Sequence, residues 1–197
     1  MKPASFLFAF VLTGCATTPA ASPQDAFWQE LSRHCGKAFA GRLVSNEAPD
    51  ADMRGAAMVI HVRECSDRRI AVPFHIQRAD GSWDRSRTWL ITRTPAGLRL
   101  KHDHRHEDGK PDSMTLYGGD TASAGTAEAQ DFPVDAESVA LFKAEGRSVS
   151  ITNVWRVEVG AGRFAYQLTR QPPNARLFRV EFDLTRPVPA PPAPWGH

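Results

Sequence analysis

The chain has 197 residues, 42% of them hydrophobic and 23% charged, with a formal net charge of +2. That length and apolar content suit one domain with a sizeable core. Basic and acidic residues nearly balance, at 24 against 22, with no basic stripe or tail, so the chain lacks an electrostatic footprint for nucleic acid.

The first element is a leader. In MKPASFLFAFVLTGC, Lys2 is the only charge before an apolar run from Phe6 to Leu12. The run is too short for a permanent membrane span. A basic start, a short apolar core and small residues afterwards read as a secretory signal. The tetrapeptide LTGC, ending at Cys15, resembles the lipobox of bacterial lipoproteins. That resemblance implies that residues 1–14 are removed as a signal peptide and that Cys15 is lipidated. Ala16, rather than Asp, follows the cysteine, which by the same resemblance favours the outer membrane over inner-membrane retention. The expected location is the cell envelope, as an outer-membrane lipoprotein facing the periplasm, with the membrane as partner through the lipid anchor. Residues 15–24, small and polar, read as the tether.

The folded domain is expected over residues 25–186. It opens with DAFWQELSRHC, a short amphipathic helix with Phe27, Trp28 and Leu31 on one face. Two cysteines remain after Cys15, and an even pair in an exported protein suggests a Cys35–Cys65 disulfide. Closing that loop would stabilise by roughly 3–4 kcal/mol. From here the hydrophobic period is two. Strands are expected at 37–45, 56–64, 69–77, 85–93, 98–106 and 113–117, then a short helix at 135–144, then strands at 148–159, 163–170 and 176–184. Short turn sequences such as ADGS, TPAG, EDGKPD and GAG separate them. This predicts a mainly β fold: an antiparallel meander closing into a small lipocalin-like β-barrel, or a sandwich, of about 8–10 strands. One N-terminal helix and one short inserted helix complete it.

The segments FWQELSRHCGKAFAGRLVS, HVRECSDRRIAVPFHI, DRSRTWLITRTPAGLRLKHDHRHEDG, YGGDT and FDLTRPVPAPPAPWGH resemble an uncharacterised family of exported bacterial proteins. The resemblance covers nearly all of the chain after the leader and implies no activity, ligand or catalytic residue. The architecture is loosely similar to small lipocalin-type barrels, without their glycine–tryptophan opening. Such a likeness of fold does not fix a function.

The stretch LRLKHDHRHEDGK holds three of the seven histidines at alternate positions. Alternation puts His102, His104 and His106 on the face of Leu98 and Leu100, so the row should start in the core and run outward to one mouth. Trp89, Asn153, Trp155 and Tyr166 fall on apolar faces of other strands. Together with His102 and His104 they resemble a ligand pocket, an apolar wall with few polar fixtures. The plainer reading of the row is a histidine ladder hydrogen-bonded inside the barrel, with His106 exposed; a divalent metal is a further alternative, with His102, His104 and His61 as candidate ligands and Asp103, Glu107 or Asp112 to complete the set. None has the spacing of an established zinc motif. No nucleophile elbow, phosphate loop or paired-cysteine signature is present, so no catalytic residue is assigned. The RECSDRR cluster, with Asp84, Arg85 and Arg87, reads as solvated turn ion pairs.

Residues 187–197 form a tail with five prolines, expected to be extended and without a ladder of its own. Trp195 suggests that it folds back onto the barrel. Altogether the chain reads as a lipid-anchored envelope protein whose barrel binds an apolar or amphipathic small molecule. A metal- or histidine-dependent envelope enzyme is one alternative. The other is an interaction protein with a filled barrel.

Overall fold

The computed structural model describes residues 21–197. The proposed signal peptide, Cys15 and most of the tether lie outside that range. Helix α1 spans Pro23–Ser32, so it takes in the last two residues assigned to the tether. Ser22 caps it by accepting a hydrogen bond from the Asp25 amide, and Pro23 sits in the first turn, where a missing N–H costs nothing. Phe27, Trp28 and Leu31 are buried, as their spacing requires.

Eleven strands follow: β1 (Ala38–Leu43), β2 (Met58–His61), β3 (Glu64–Cys65), β4 (Arg69–Gln77), β5 (Trp83–Thr94), β6 (Gly97–His104), β7 (Tyr117–Asp120), β8 (Ala129–Pro133), β9 (Val154–Gly160), β10 (Arg163–Arg170) and β11 (Arg176–Val188). Helix α2 (Ala136–Ala144) lies between β8 and β9, capped by Asp135. All pairings are antiparallel, in the order β7-β6-β5-β4-β2-β1-β11-β10-β9-β8, with β3 attached to β4. The fold is the mainly β, nearly closed barrel that the two-residue period predicts.

Closure is made at one seam. Strands β7 and β8 share no ladder, but Gly119 bridges Val134 and the Asp135 amide donates to the Gly118 carbonyl at 3.0 Å. The paired glycines of YGGD permit this approach. A Cβ on Gly118 would lie 1.8 Å from the Leu100 oxygen, and one on Gly119 would lie 1.7 Å from the Pro133 oxygen. A side chain on Gly119 would force the seam apart, and one on Gly118 would push β7 off β6.

One end of the barrel is shut by α1. Arg93 at the end of β5 pairs with Asp25 at 2.6 Å and stacks its guanidinium over Trp28 at 4.7 Å. The Cys35–Cys65 disulfide is present, with Cα atoms 6.2 Å apart, and ties the segment after α1 to β3. The core beside α1 is apolar throughout: Phe39, Ile60, Ile70, Ile91, Leu100, Phe164 and Phe182 are all buried.

Several expected boundaries are corrected. Residues 113–116 are not a strand; β7 begins at Tyr117, after a left-handed Leu116 at φ 54°. The expected strand 148–159 is instead a 3-10 turn at Ser148–Ser150 followed by β9 from Val154, and Val149 is exposed. Strand β6 stops at His104, so His106 leaves the row. Strand β8, AQDFP, sits in a region read as loop, and 56–64 splits into β2 and the start of β3. The tail also differs. Pro187 and Val188 pair with Phe39 and Ala38 at the end of β11, past a bulge opposite Ala40. The remainder folds back onto the outer surface: the Trp195 amide donates to the Arg85 carbonyl, Arg85 donates to the Ala193 carbonyl at 2.7 Å, and His197 meets Asp103 at 2.9 Å.

Candidate functional site

The end of the barrel away from α1 holds a cavity of about 270 Å³. Trp89, His102, His104, Asn153, Trp155 and Tyr166 all line it, brought together from β5, β6, β9, β10 and the residue before β9. Alternation explains this arrangement. On β6, Leu98 and Leu100 are buried near α1, and the same face carries His102 and then His104 toward the opening.

His102 is 2% exposed and both ring nitrogens are engaged. Its Nδ1 lies 3.0 Å from the Tyr117 carbonyl, which can only accept, so Nδ1 carries the proton. In the neutral ring Nε2 is then an acceptor, and the Tyr166 hydroxyl donates to it at 2.6 Å. Burial, helped by the neighbouring His104, pushes the His102 pKa down to about 3, so the neutral tautomer persists at physiological pH. The His104 pKa is pushed down to about 4, by burial first and by Arg87 second. The Tyr117 hydroxyl stands 3.3 Å from His104 Nε2, and burial pushes its pKa up to about 12.

Flat rings make the walls. Trp89 stacks on Tyr166 at 4.2 Å and on Phe74 at 4.9 Å, while His102 stacks on Tyr117 at 4.6 Å. Asn153 is the distinctive polar fixture. It is 5% exposed, and its Oδ1 is buried with no hydrogen-bond partner among the described residues. A buried amide oxygen left unpaired costs free energy.

Charge gathers at the opening. Arg87, Arg147, Arg176 and Asp50 belong to the lining. Arg87 pairs with Asp84, so part of the cluster read as solvated turn pairs stands at the mouth instead; both side chains are mostly buried. Arg176 pairs with Glu47 at 2.6 Å and with the buried Asp50. Arg147 has no side-chain hydrogen bond or ion pair among the described residues. Arg147, Arg176, Phe142 and Met114 were not anticipated as lining. Arg147 and Met114 come from loops, where no period marks which way a side chain turns; Phe142 lies on α2, and Arg176 continues the inward parity of Phe178 and Val180 at the start of β11. Tyr117 was expected to end a strand over 113–117; it begins β7 instead.

The candidate metal ligands are not brought together. His61 alternates with the core residue Ile60 on β2 and so faces away from the cavity. The His102 and His104 rings are 6.4 Å apart and edge-on, and His102 has both nitrogens occupied by protein. No group of three or more His, Cys, Asp or Glu side chains suited to a metal ion occurs among the described residues. Asp103 faces the outer surface, where it holds Arg105 and His197. His106 is exposed, 3.8 Å from Asp112.

No protein-family model, curated protein or solved structure matches this chain.

Proposed function

We propose that this chain is a lipid-anchored protein of the cell envelope whose barrel binds a small apolar or amphipathic molecule at its open end. The observation that carries the binding reading is the cavity itself, walled by Trp89, Trp155 and Tyr166, with Asn153 and a few charged side chains in its lining. Binding sites of small molecules combine an apolar wall with a few oriented polar groups in this way. The volume, about 270 Å³, equals roughly nine waters at about 30 Å³ each, which suits a compact molecule and not a whole diacyl lipid. The anchor rests on LTGC and its lipobox resemblance, and the Cys35–Cys65 bridge accords with an oxidising compartment.

Native mass spectrometry of protein purified from its own envelope tests the binding reading. A small molecule released on unfolding, and absent from a Trp155→Ala preparation, supports it. An apo mass together with no uptake from an envelope extract rejects it. Acyl labelling tests the anchor separately: Cys15→Ala should abolish the label and release the protein from membranes.

A further inference from the structure

We propose that the molecule held in this cavity is a small organic acid, with its carboxylate at the mouth beside Arg147 and its apolar body between the aromatic walls. This inference rests on the binding reading above and names the chemistry of its ligand. Four charged residues line the cavity, three arginines and one aspartate. Two of the arginines are committed. Arg87 is held by Asp84, and Arg176 by Glu47 and Asp50. Arg147 is the lining guanidinium without a side-chain partner among the described residues. Its planar fork matches a carboxylate in two parallel hydrogen bonds.

The opposite choices fit less well. A cation would find only Asp50 in the lining, and that carboxylate is 3% exposed and already engaged by Arg176. A neutral ligand would give the Arg147 guanidinium no charged partner. Further in, His102 and His104 are neutral, so nothing there opposes an apolar body. A carboxylate at the mouth also keeps part of its hydration, which avoids the large cost of burying a charge completely.

The test is calorimetric titration of the purified protein with three matched probes: 4-phenylbutyrate, 4-phenylbutyramide and 4-phenylbutylamine. The acid should bind roughly tenfold or more tighter than the amide, as expected for a charge-assisted pair, and the amine should bind weakest. Arg147→Gln should lower the acid to the affinity of the amide and leave the amide unchanged. Equal binding of acid and amide, a preference for the amine, or an acid preference that survives Arg147→Gln would overturn the acid assignment while cavity binding stands. Failure of all three probes to bind would overturn both.

Discussion

The two ends of this barrel are built from the same strands and differ in what those strands point inward. On β6 the inner face reads Leu98 and Leu100 near α1, then His102 and His104. On β9 it reads Val159 and Val157, then Trp155, with Asn153 just before the strand. On β11 it reads Phe182 and Val180, then Phe178 and Arg176. The closed end is aliphatic and phenyl, dry and packed against a helix. The open end is indole, phenol, imidazole, amide and guanidinium around a cavity. Alternation decides which side chains enter the barrel. The change of chemistry along a strand, at constant parity, separates the part that holds the sheet together from the part that leaves room.

Acid should separate the two ends most strongly. His102 and His104 have folded pKa values of about 3 and about 4 against an ordinary 6.5, chiefly through burial. The unfolded chain therefore takes up protons that the folded barrel refuses. Their contribution is complete above pH 6.5 and is lost as the pH falls from there toward 4 and 3. The loss between pH 7 and pH 4 is on the order of 5 kcal/mol. His75 acts in the same direction, since burial pushes it down to about 4. Urea melts across that range should show a midpoint that falls with pH. An imidazole of His102 seen by NMR to titrate near 6.5 would refute the buried neutral tautomer.

At the closed end the sensitive quantity is volume. Phe164→Ala removes a fully buried ring from the packed core and should cost about 3–5 kcal/mol, at any pH where the barrel is folded. A loss under about 1 kcal/mol in chemical denaturation would mean that this end is as roomy as the other. The disulfide belongs to the same end. Replacing both Cys35 and Cys65 by serine should lower stability by roughly 2–4 kcal/mol, since the bridge closes a separation of 30 residues. The binding proposed for the far end should survive.

The closed end and the row of strands were legible in the sequence because both depend on periodicity. Strands β4 and β10 have the bounds that alternation predicts, and Leu98 with Leu100 fixed the inward face of His102 and His104. The open end was legible only where it lies on strands. Val149 and Ile151 look like strand residues in phase with Trp155, yet a 3-10 turn at Ser148–Ser150 breaks the phase and leaves Val149 exposed. Arg147 and Met114 reach the cavity from connections whose direction depends on tertiary packing. The close approach of β7 to β6 at Gly118 and to β8 at Gly119 is a third kind of case. The glycines are visible in YGGD, but the carbonyls that exclude a side chain come from Leu100 and Pro133, distant in sequence.

Within the open end, two polar side chains should behave differently. Tyr166→Phe deletes the donor to His102 Nε2, 2.6 Å away, and leaves a buried acceptor unpaired. That should cost about 1–3 kcal/mol of stability. A cost near zero would show that another donor reaches the imidazole.

Asn153 makes the smallest change in stability and the most informative one. Its side chain forms no hydrogen bond among the described residues, and its Oδ1 is already buried without a partner. Asn153→Ala therefore removes an unsatisfied group and no protein contact of hydrogen-bond strength. The backbone carbonyl of residue 153, which accepts from the Val134 amide at 2.9 Å, is untouched. The melting free energy should shift by no more than about 0.5 kcal/mol. With binding as proposed, ligand affinity should nonetheless fall, because Asn153 lines the cavity. A variant as unstable as Tyr166→Phe would assign Asn153 to the framework that holds the barrel. A stable variant with unaltered affinity would remove the amide from the binding surface and leave the aromatic walls to account for binding alone.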